Sequence, residues 1–138
     1  MTDEMAERRL ITSGSPFEPL LGMSRAVRVG DHIAVGATAA IWPDGEVDPD
    51  VGLQAARCLT IIAEALEDAG ATLEDVVRTR VFLVDAADGT AVGRVHGETF
   101  AHIRPATGFI VVSGFLDPRW KVEIEADAVL MGPSPAGR

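Results

Sequence analysis

The chain has 138 residues, of which 47% are hydrophobic and 24% are charged, as is usual for one globular domain with its own core. The net charge is −9, because 21 Asp and Glu outnumber 12 Lys and Arg, and the basic residues are scattered along the chain. Nucleic-acid binding through phosphates usually requires a basic stripe, so we expect no nucleic-acid partner. No window approaches the roughly 18 apolar residues of a membrane span, so we expect no membrane insertion.

Cysteine usage and the N-terminal residues bear on the compartment. Cys58 is the single cysteine, so no intrachain disulfide can form and no cysteine cluster has metal-ligand spacing. No apolar run typical of a signal peptide follows the N-terminus, which together with the lone cysteine predicts a reducing, cytoplasmic location. We expect a single domain over residues 1–138, with loose ends at about 1–7 and 132–138.

The first half of the chain predicts three short strands followed by a long helix. The strand candidates are residues 8–12, 24–29 and 32–36, and the Gly- and Pro-containing stretch 14–19 predicts a loop. Apolar residues recur at i, i+3 and i+4 from Asp50 to Gly70, which predicts a helix capped by Asp50 and ended by Gly70. Cys58 lies on the apolar stripe of this helix, which favours a packing role over a reactive thiol.

The second half predicts three more strands. Asp75–Val84 is a strand candidate with one side formed by Val77, Thr79, Val81 and Leu83. The run Phe109–Val112 lacks polar alternation, which predicts a strand buried on both faces. Trp120–Leu130 alternates cleanly, so that its apolar residues face one way and Lys121, Glu123, Glu125 and Asp127 face the other.

A second helix is predicted from Asp85 to about His102, and it carries Gly89, Gly93 and Gly97 on one face. Glycine inside a helix costs roughly 1 kcal/mol relative to alanine. The stripe therefore suggests close approach to a sheet or a neighbouring backbone, with chance as the alternative. The predicted order is β-β-β-α-β-α-β-β, an α+β fold with both helices on one face of the sheet.

The other sheet face would remain uncovered by this arrangement. It would carry a mixture of apolar and charged side chains, namely Phe82, Val84, Arg78, Arg80, Glu123 and Glu125. Mixed faces of this kind are typical of surfaces that meet another subunit, so the pattern predicts a homo-oligomer.

Four stretches stand in a fixed order and spacing between about residues 10 and 130: Ser24–Asp31, Ala69–Val77, Arg104–Ala106 and Val122–Ala126. They resemble the S-Q-A-V-x-V-G-D, A-G-A-S-L-x-D-V-V, R-P-A-R-S and V-E-I-E-A patterns of the Rid family, also called YjgF or endoribonuclease L-PSP. The resemblance implies a chorismate-mutase-like α+β fold, with two helices on one face of a mixed sheet. It also implies a homotrimer with small-molecule pockets between subunits, which hydrolyses enamines and imines without a metal or organic cofactor.

Several positions of this chain depart from the family pattern. The family arginine that clamps a substrate carboxylate is replaced by Thr107, which can donate one hydrogen bond but carries no charge. Met23 replaces the pocket tyrosine, Gly36 retains only the glycine of the family's S-G-Q, and Gly93 stands where an asparagine is expected. Glu123 matches the glutamate that positions or activates the attacking water in the family.

Two interpretations follow from these departures. In the first, the pocket takes a different, less acidic small molecule, with Glu123 as the base or water-orienting group and Thr107 and the Gly36 backbone as polar contacts. Arg25 lies on the same strand side as Met23 and could supply a replacement positive charge. In the second interpretation, the chain forms a non-catalytic metabolite-binding or scaffold trimer.

Individual residues also have plainer interpretations. Glu123 could pair with Arg78 or Arg80 on the open sheet face instead of acting chemically. His96 is the residue type that titrates near neutrality, but His96 and Glu98 are two apart on a helix and do not face each other. The three histidines have no metal-ligand spacing, so no metal site is expected. The acidic charge gives no support to the ribonuclease activity in the family's older name.

Overall fold

The computed structural model describes residues 7–132, which form a β-sheet and the helices packed on it. The strands are β1 (Arg8–Ile11), β2 (Ala26–Val29), β3 (His32–Ala39), β4 (Val76–Leu83), β5 (Ala106–Val111) and β6 (Val122–Val129). The α-helices are α1 (Phe17–Leu21), α2 (Val51–Asp68) and α3 (Gly89–Phe100). Short 3-10 turns, Leu73–Asp75 and Ala86–Asp88, precede β4 and α3.

The six strands form one sheet in the order β1-β2-β3-β6-β4-β5. Neighbouring strands are antiparallel except β4 and β5, which are parallel, so the sheet is mixed. Helix α2 packs against β3, β6 and α3, and α3 reaches β4 on the same face through a hydrogen bond between His96 and Thr79. The predicted α+β fold, with two long helices on one sheet face, is therefore confirmed.

Helix α2 shows how the predicted pattern produces the core. The Asp50 carboxylate accepts a hydrogen bond of 2.9 Å from the Leu53 backbone N–H, so it caps the helix as predicted. Gly70 has a φ of +90°, the left-handed conformation that ends the helix without a Cβ clash. Cys58 is fully buried, and this burial, followed by the charge of Glu123, raises the pKa of its thiol to about 12. The packing role predicted for Cys58 is confirmed.

Three local predictions are wrong. The stretch 14–19 is only partly a loop, because α1 begins at Phe17. In β4 the register shifts between Val76 and Arg78, so Val76 is buried in the core and Val77 is exposed, the reverse of strict alternation. Strand β5 is not buried on both faces: it lies at the sheet edge, and every one of its residues is exposed in the single chain.

The second helix also begins differently from its prediction. Asp85 caps the 3-10 turn through the Ala87 N–H at 2.9 Å, and α3 starts only at Gly89. The glycine stripe makes no close approach within one chain. A Cβ at Gly93 would lie 4.0 Å from the Phe109 ring, and one at Gly97 would have no atom within 4 Å.

The predicted loose ends, 1–7 and 132–138, lie outside the described residues apart from Glu7 and Gly132, which belong to no helix or strand. Over residues 7–132, no helix combines the length and apolar character that crossing a bilayer requires.

Candidate functional site

The open sheet face carries the acidic residues of β6. Strand β6 alternates as predicted, with Val122, Ile124, Ala126 and Ala128 buried and the residues between them half-buried. Arg80 on β4 contacts Glu125 at 2.9 Å and Asp127 at 3.6 Å. Glu123 makes no ion pair or hydrogen bond through its carboxylate within residues 7–132, so the pairing with Arg78 or Arg80 considered from sequence does not form.

Glu123 lies between two apolar cross-strand neighbours. It is opposite Ala39 on β3 and Phe82 on β4, which supply no polar group to its carboxylate. Burial raises the pKa of Glu123 above its ordinary value, although the nearby Arg25 guanidinium opposes the rise. A half-buried carboxylate with a raised pKa and no hydrogen-bond partner among residues 7–132 is suited to accept a proton or orient a water molecule.

Arg25 and Gly36 meet at a β-bulge in β3. The register between β3 and β6 shifts between Val35 and Thr38, so that β3 has one extra residue there. The Gly36 N–H donates to the Arg25 carbonyl at 2.9 Å, and the Arg25 Nη1 donates to the Ala37 carbonyl and the Thr38 hydroxyl, both at 3.0 Å. Arg25, Gly36 and Glu123 thus form one cluster, which we call the bulge half-site.

Arg25 is only partly free to act as a replacement cation. Its Nη1 is held by β3, and its Nε is buried without a hydrogen-bond partner among the described residues. Its charge still reaches Glu123, because it lowers the pKa of that carboxyl against the effect of burial. The structure therefore places Arg25 beside Glu123 without forming a direct ion pair.

Thr107 belongs to a second cluster, at the sheet edge formed by β5. Its Oγ1 lies 2.8 Å from the Thr79 Oγ1 and donates to the Pro105 carbonyl at 3.0 Å. Gly93 on α3 lies beside the Phe109 ring, two residues further along β5. We call Thr107, Gly93 and Phe109 the edge half-site.

The two half-sites lie on opposite faces of the sheet within one chain. Thr107 is opposite Thr79 in the parallel register, and Thr79 faces the helices because it bonds His96 on α3. Glu123 is opposite Phe82 on the uncovered face, and β4 separates β6 from β5. A single chain therefore does not bring Glu123 and Thr107 together on one cavity.

Thr79 and His96 are additions that sequence reasoning did not connect to the site. Thr79 is buried, and its Oγ1 lies 2.8 Å from both the Thr107 Oγ1 and the His96 Nε2. A threonine on the apolar side of a strand was the available signal, because a buried hydroxyl requires a partner. Its partner on α3 follows only from the tertiary packing.

The structure also contains a groove of about 560 Å³ at the end of β4, and it includes none of the predicted site residues. It is lined by Glu74, Val76, Val77 and the stretch 102–105. Arg104 has a φ of 55° there, and its N–H bonds the Phe100 carbonyl at 2.8 Å to end α3. The groove lies at the C-terminal end of α3 and adjoins the edge half-site at Pro105, whose carbonyl accepts from Thr107.

Comparison with known proteins agrees with this architecture. The family model described as Endoribonuclease L-PSP matches residues 14–130. An uncharacterized protein of Streptomyces coelicolor is 41% identical over 93% of this chain and 95% of its own length. A RutC family protein of Pyrococcus abyssi is 36% identical over 79% of this chain and 87% of its own.

Solved structures give the same result. The crystal structure of a Mycobacterium tuberculosis member of the YjgF/YER057c/UK114 family has 41% sequence identity and a TM-score of 0.83. The match covers 90% of this chain and 100% of that one. The family match over most of the sequence, the close relatives and the shared sheet topology lead to one conclusion. The chain belongs to the endoribonuclease L-PSP family, which is also known as the YjgF or Rid family.

Proposed function

We propose that this protein is a cytoplasmic homotrimer with a small-molecule pocket between neighbouring copies, and that it hydrolyses an enamine, imine or related metabolite. Each pocket would combine the bulge half-site of one copy with the edge half-site of the next. This arrangement resolves the separation of Glu123 and Thr107, since residues on opposite faces of one sheet can meet only across two copies. No metal, organic cofactor, nucleic acid or membrane has a part in the proposal.

Exposed apolar surface supports the assembly. On the edge strand, Phe109, Ile110 and Val111 are 44%, 40% and 56% exposed in the single chain. Val84 is exposed and Phe82 is half-buried on the uncovered face nearby. An edge strand with this much apolar surface favours association, and a second copy would remove it from water.

Glu123 carries the catalytic part of the proposal. Its carboxylate is half-buried and lacks a hydrogen-bond partner among residues 7–132, and burial raises its pKa. In the proposed reaction Glu123 accepts a proton from water as the oxygen attacks the carbon of a C=N bond, and the imine nitrogen takes a proton from solvent, which gives a carbinolamine. The C–N bond then breaks as Glu123 returns its proton to the nitrogen and the hydroxyl loses its proton to solvent, releasing a carbonyl compound and ammonia or an amine.

The charge of the pocket limits its substrate. Thr107 offers a hydroxyl where a carboxylate clamp would need a guanidinium, and Arg25 has one terminal nitrogen held by its own strand. A buried carboxylate without a paired cation is costly. The pocket is therefore suited to a less acidic substrate than the 2-imino acids that an arginine would clamp.

The alternative is a trimer that binds a metabolite or acts as a scaffold without turnover. The observation that favours it is the scarcity of reactive groups, because Glu123 is the one titratable side chain with a raised pKa in the two half-sites. Binding without hydrolysis would then depend on the Thr107 hydroxyl and the Gly36 backbone.

Three measurements on the purified protein test the proposal. Sedimentation equilibrium should give the mass of a trimer. Hydrolysis of an uncharged imine, benzylidene-methylamine, should exceed the buffer rate when benzaldehyde release is followed by absorbance. Enzymatically generated 2-aminoacrylate should be turned over weakly or not at all. A trimer that leaves the imine rate unchanged would favour the non-catalytic alternative, and efficient 2-aminoacrylate turnover would contradict the charge argument.

A further inference from the structure

A chain of three side chains links the interior to the edge half-site. His96 is 8% exposed and Thr79 is 1% exposed, while Thr107 lies at the surface. The His96 Nε2 lies 2.8 Å from the Thr79 Oγ1, which lies 2.8 Å from the Thr107 Oγ1. The Thr107 Oγ1 in turn lies 3.0 Å from the Pro105 carbonyl oxygen. Buried side chains thus hold a surface hydroxyl at one position.

Counting protons gives the hydrogen bonds among His96, Thr79 and Thr107 a direction. A carbonyl oxygen can only accept, so the single hydroxyl hydrogen of Thr107 points to Pro105. The contact between the two threonines must then use the hydrogen of Thr79. The Thr79 oxygen consequently accepts from His96, which requires the hydrogen to be on Nε2 of the imidazole. The three bonds therefore run outward from His96 to Pro105.

The environment of His96 agrees with a neutral ring. Burial lowers the pKa of His96 below its ordinary value, so the imidazole is uncharged near neutral pH. A neutral imidazole has one protonated nitrogen, and the hydrogen bond to Thr79 selects which one it is. The rings of Phe100 and Phe109, with centroids at 4.7 and 6.1 Å, surround the imidazole with apolar groups.

We propose that His96 and Thr79 are positioning residues that hold Thr107 as a hydrogen-bond donor, and that its ligand presents an uncharged carbonyl oxygen such as that of an amide. The proposal rests on the proposed function, which places Thr107 in a ligand pocket. When such a ligand binds, the Thr107 hydrogen turns from Pro105 to the ligand, while Thr79 continues to donate to the Thr107 oxygen. The donated bond polarises the Thr107 hydroxyl and strengthens it as a donor.

The same geometry disfavours two other ligand groups. An ammonium group has no lone pair to accept the Thr107 hydrogen and could only donate to the one lone pair of the Thr107 oxygen that Thr79 leaves free. A carboxylate would find one hydroxyl where it needs a cation, and burial would leave its charge unpaired. A carbonyl oxygen matches the single donor without carrying a charge.

The imidazole tautomer of His96 tests the direction of these hydrogen bonds without any ligand. Long-range ¹H–¹⁵N spectra of the histidine-labelled protein should show the Nε2–H form of His96. Thr79→Val, which keeps the side-chain shape, should remove this preference, and Thr79→Ser should restore it. An Nδ1–H tautomer in the unmodified protein overturns the positioning role, and it does so whether or not the protein binds or hydrolyses anything.

A matched pair of probes tests the ligand class in the same protein. Propionamide and propionate have similar shape, and their binding can be followed at the ¹³C-labelled methyl group of Thr107. Propionamide should bind about three- to tenfold more tightly, as expected for one hydrogen bond. Thr79→Val should remove the preference, while Thr79→Ser should keep it.

Together, the tautomer measurement and the probe comparison separate failure of this inference from failure of the proposed function. Equal binding of both probes, or a preference for propionate, overturns the ligand class while leaving a pocket at Thr107. No response of the Thr107 methyl group to either probe overturns the ligand class and the pocket together. Nε2–H in the unmodified protein combined with the amide preference supports the inference.

Discussion

Replacing Glu123 by glutamine is the most informative change in the proposed reaction. Glutamine keeps the size of the side chain and its position opposite Phe82, but it cannot accept a proton from water. A positioned general base contributes about 10²- to 10⁴-fold to a rate. We expect Glu123→Gln to lower kcat/KM for the uncharged imine within that range.

The pH profile gives a second signature of the same residue. Because burial raises the pKa of Glu123, kcat/KM should rise about tenfold per pH unit up to that pKa and then level off, and Glu123→Gln should remove this rise. The stability contribution of Glu123 should fall as pH rises, whereas kcat/KM rises. A raised pKa means that the folded state holds the proton more tightly, so the stability contribution of Glu123 is lost as pH rises through its folded pKa. Glu123→Gln should therefore not destabilise the protein near pH 7.

Glu125→Gln supplies a matched control on the same strand and the same face. It removes the ion pair with Arg80, which is partly exposed and contributes at most about 1 kcal/mol. Imine hydrolysis should stay within about twofold of the unmodified protein, while thermal unfolding reports the small stability change. Equal losses of activity in the two variants, or an unaffected Glu123→Gln variant, would refute the assignment of Glu123 as the base.

Three further predictions concern stability and assembly. Asp50→Ala removes the cap on the Leu53 N–H and should lower the free energy of unfolding by about 1 kcal/mol in urea titrations, with the unfolding cooperativity unchanged. Burial opposes ionisation of Glu18, but hydrogen bonds from Ser13 and Thr12 outweigh it and lower the pKa. Its stability contribution is therefore present above its ordinary pKa and lost as pH falls through the folded one, so Glu18→Gln should flatten the acid limb of a Tm-versus-pH curve. Ile110→Lys places a charge on the exposed edge strand and should shift sedimentation toward the monomer while circular dichroism stays unchanged.

The sequence predicted the elements whose patterns are long and regular. The periodicity of α2 and the alternation of β6 each extend over a whole element, and tertiary packing preserved them. Short or edge elements did not follow their patterns. Helix α1 has five residues with Pro19 inside it, so its sequence has the composition of a loop.

Strand β5 shows why a burial pattern cannot be assigned to one chain alone. Its apolar run from Phe109 has the composition of a strand covered on both faces, yet it forms the exposed edge of the sheet. The apolar pattern indicates that the strand is buried, but not whether its own chain or a second copy buries it. In our proposal a second copy covers this strand, so the composition describes the assembly.

The candidate site was predictable in part. Motif matches made Glu123, Gly36 and Thr107 candidates, and strand position added Arg25. The structure places Glu123, Gly36 and Arg25 in one cluster. The placement of Thr107 on the opposite face depends on register, because Thr107 pairs with Thr79 on the helix-covered face whereas Glu123 pairs with Phe82 on the uncovered face. No spacing along the chain encodes that register.

Mixing experiments test most directly the claim that each pocket is shared between two copies. Random co-assembly of Glu123→Gln chains with Thr107→Val chains should restore about one quarter of the pockets, because each pocket takes Glu123 from one copy and Thr107 from its neighbour. Wild-type chains mixed equally with the double variant should likewise retain about one quarter. If both residues acted within one chain, the first mixture would show only the residual activity of its parents and the second would retain about one half. We predict about one quarter in both mixtures. Residual activity in the first mixture and about one half in the second would contradict a pocket shared between two copies.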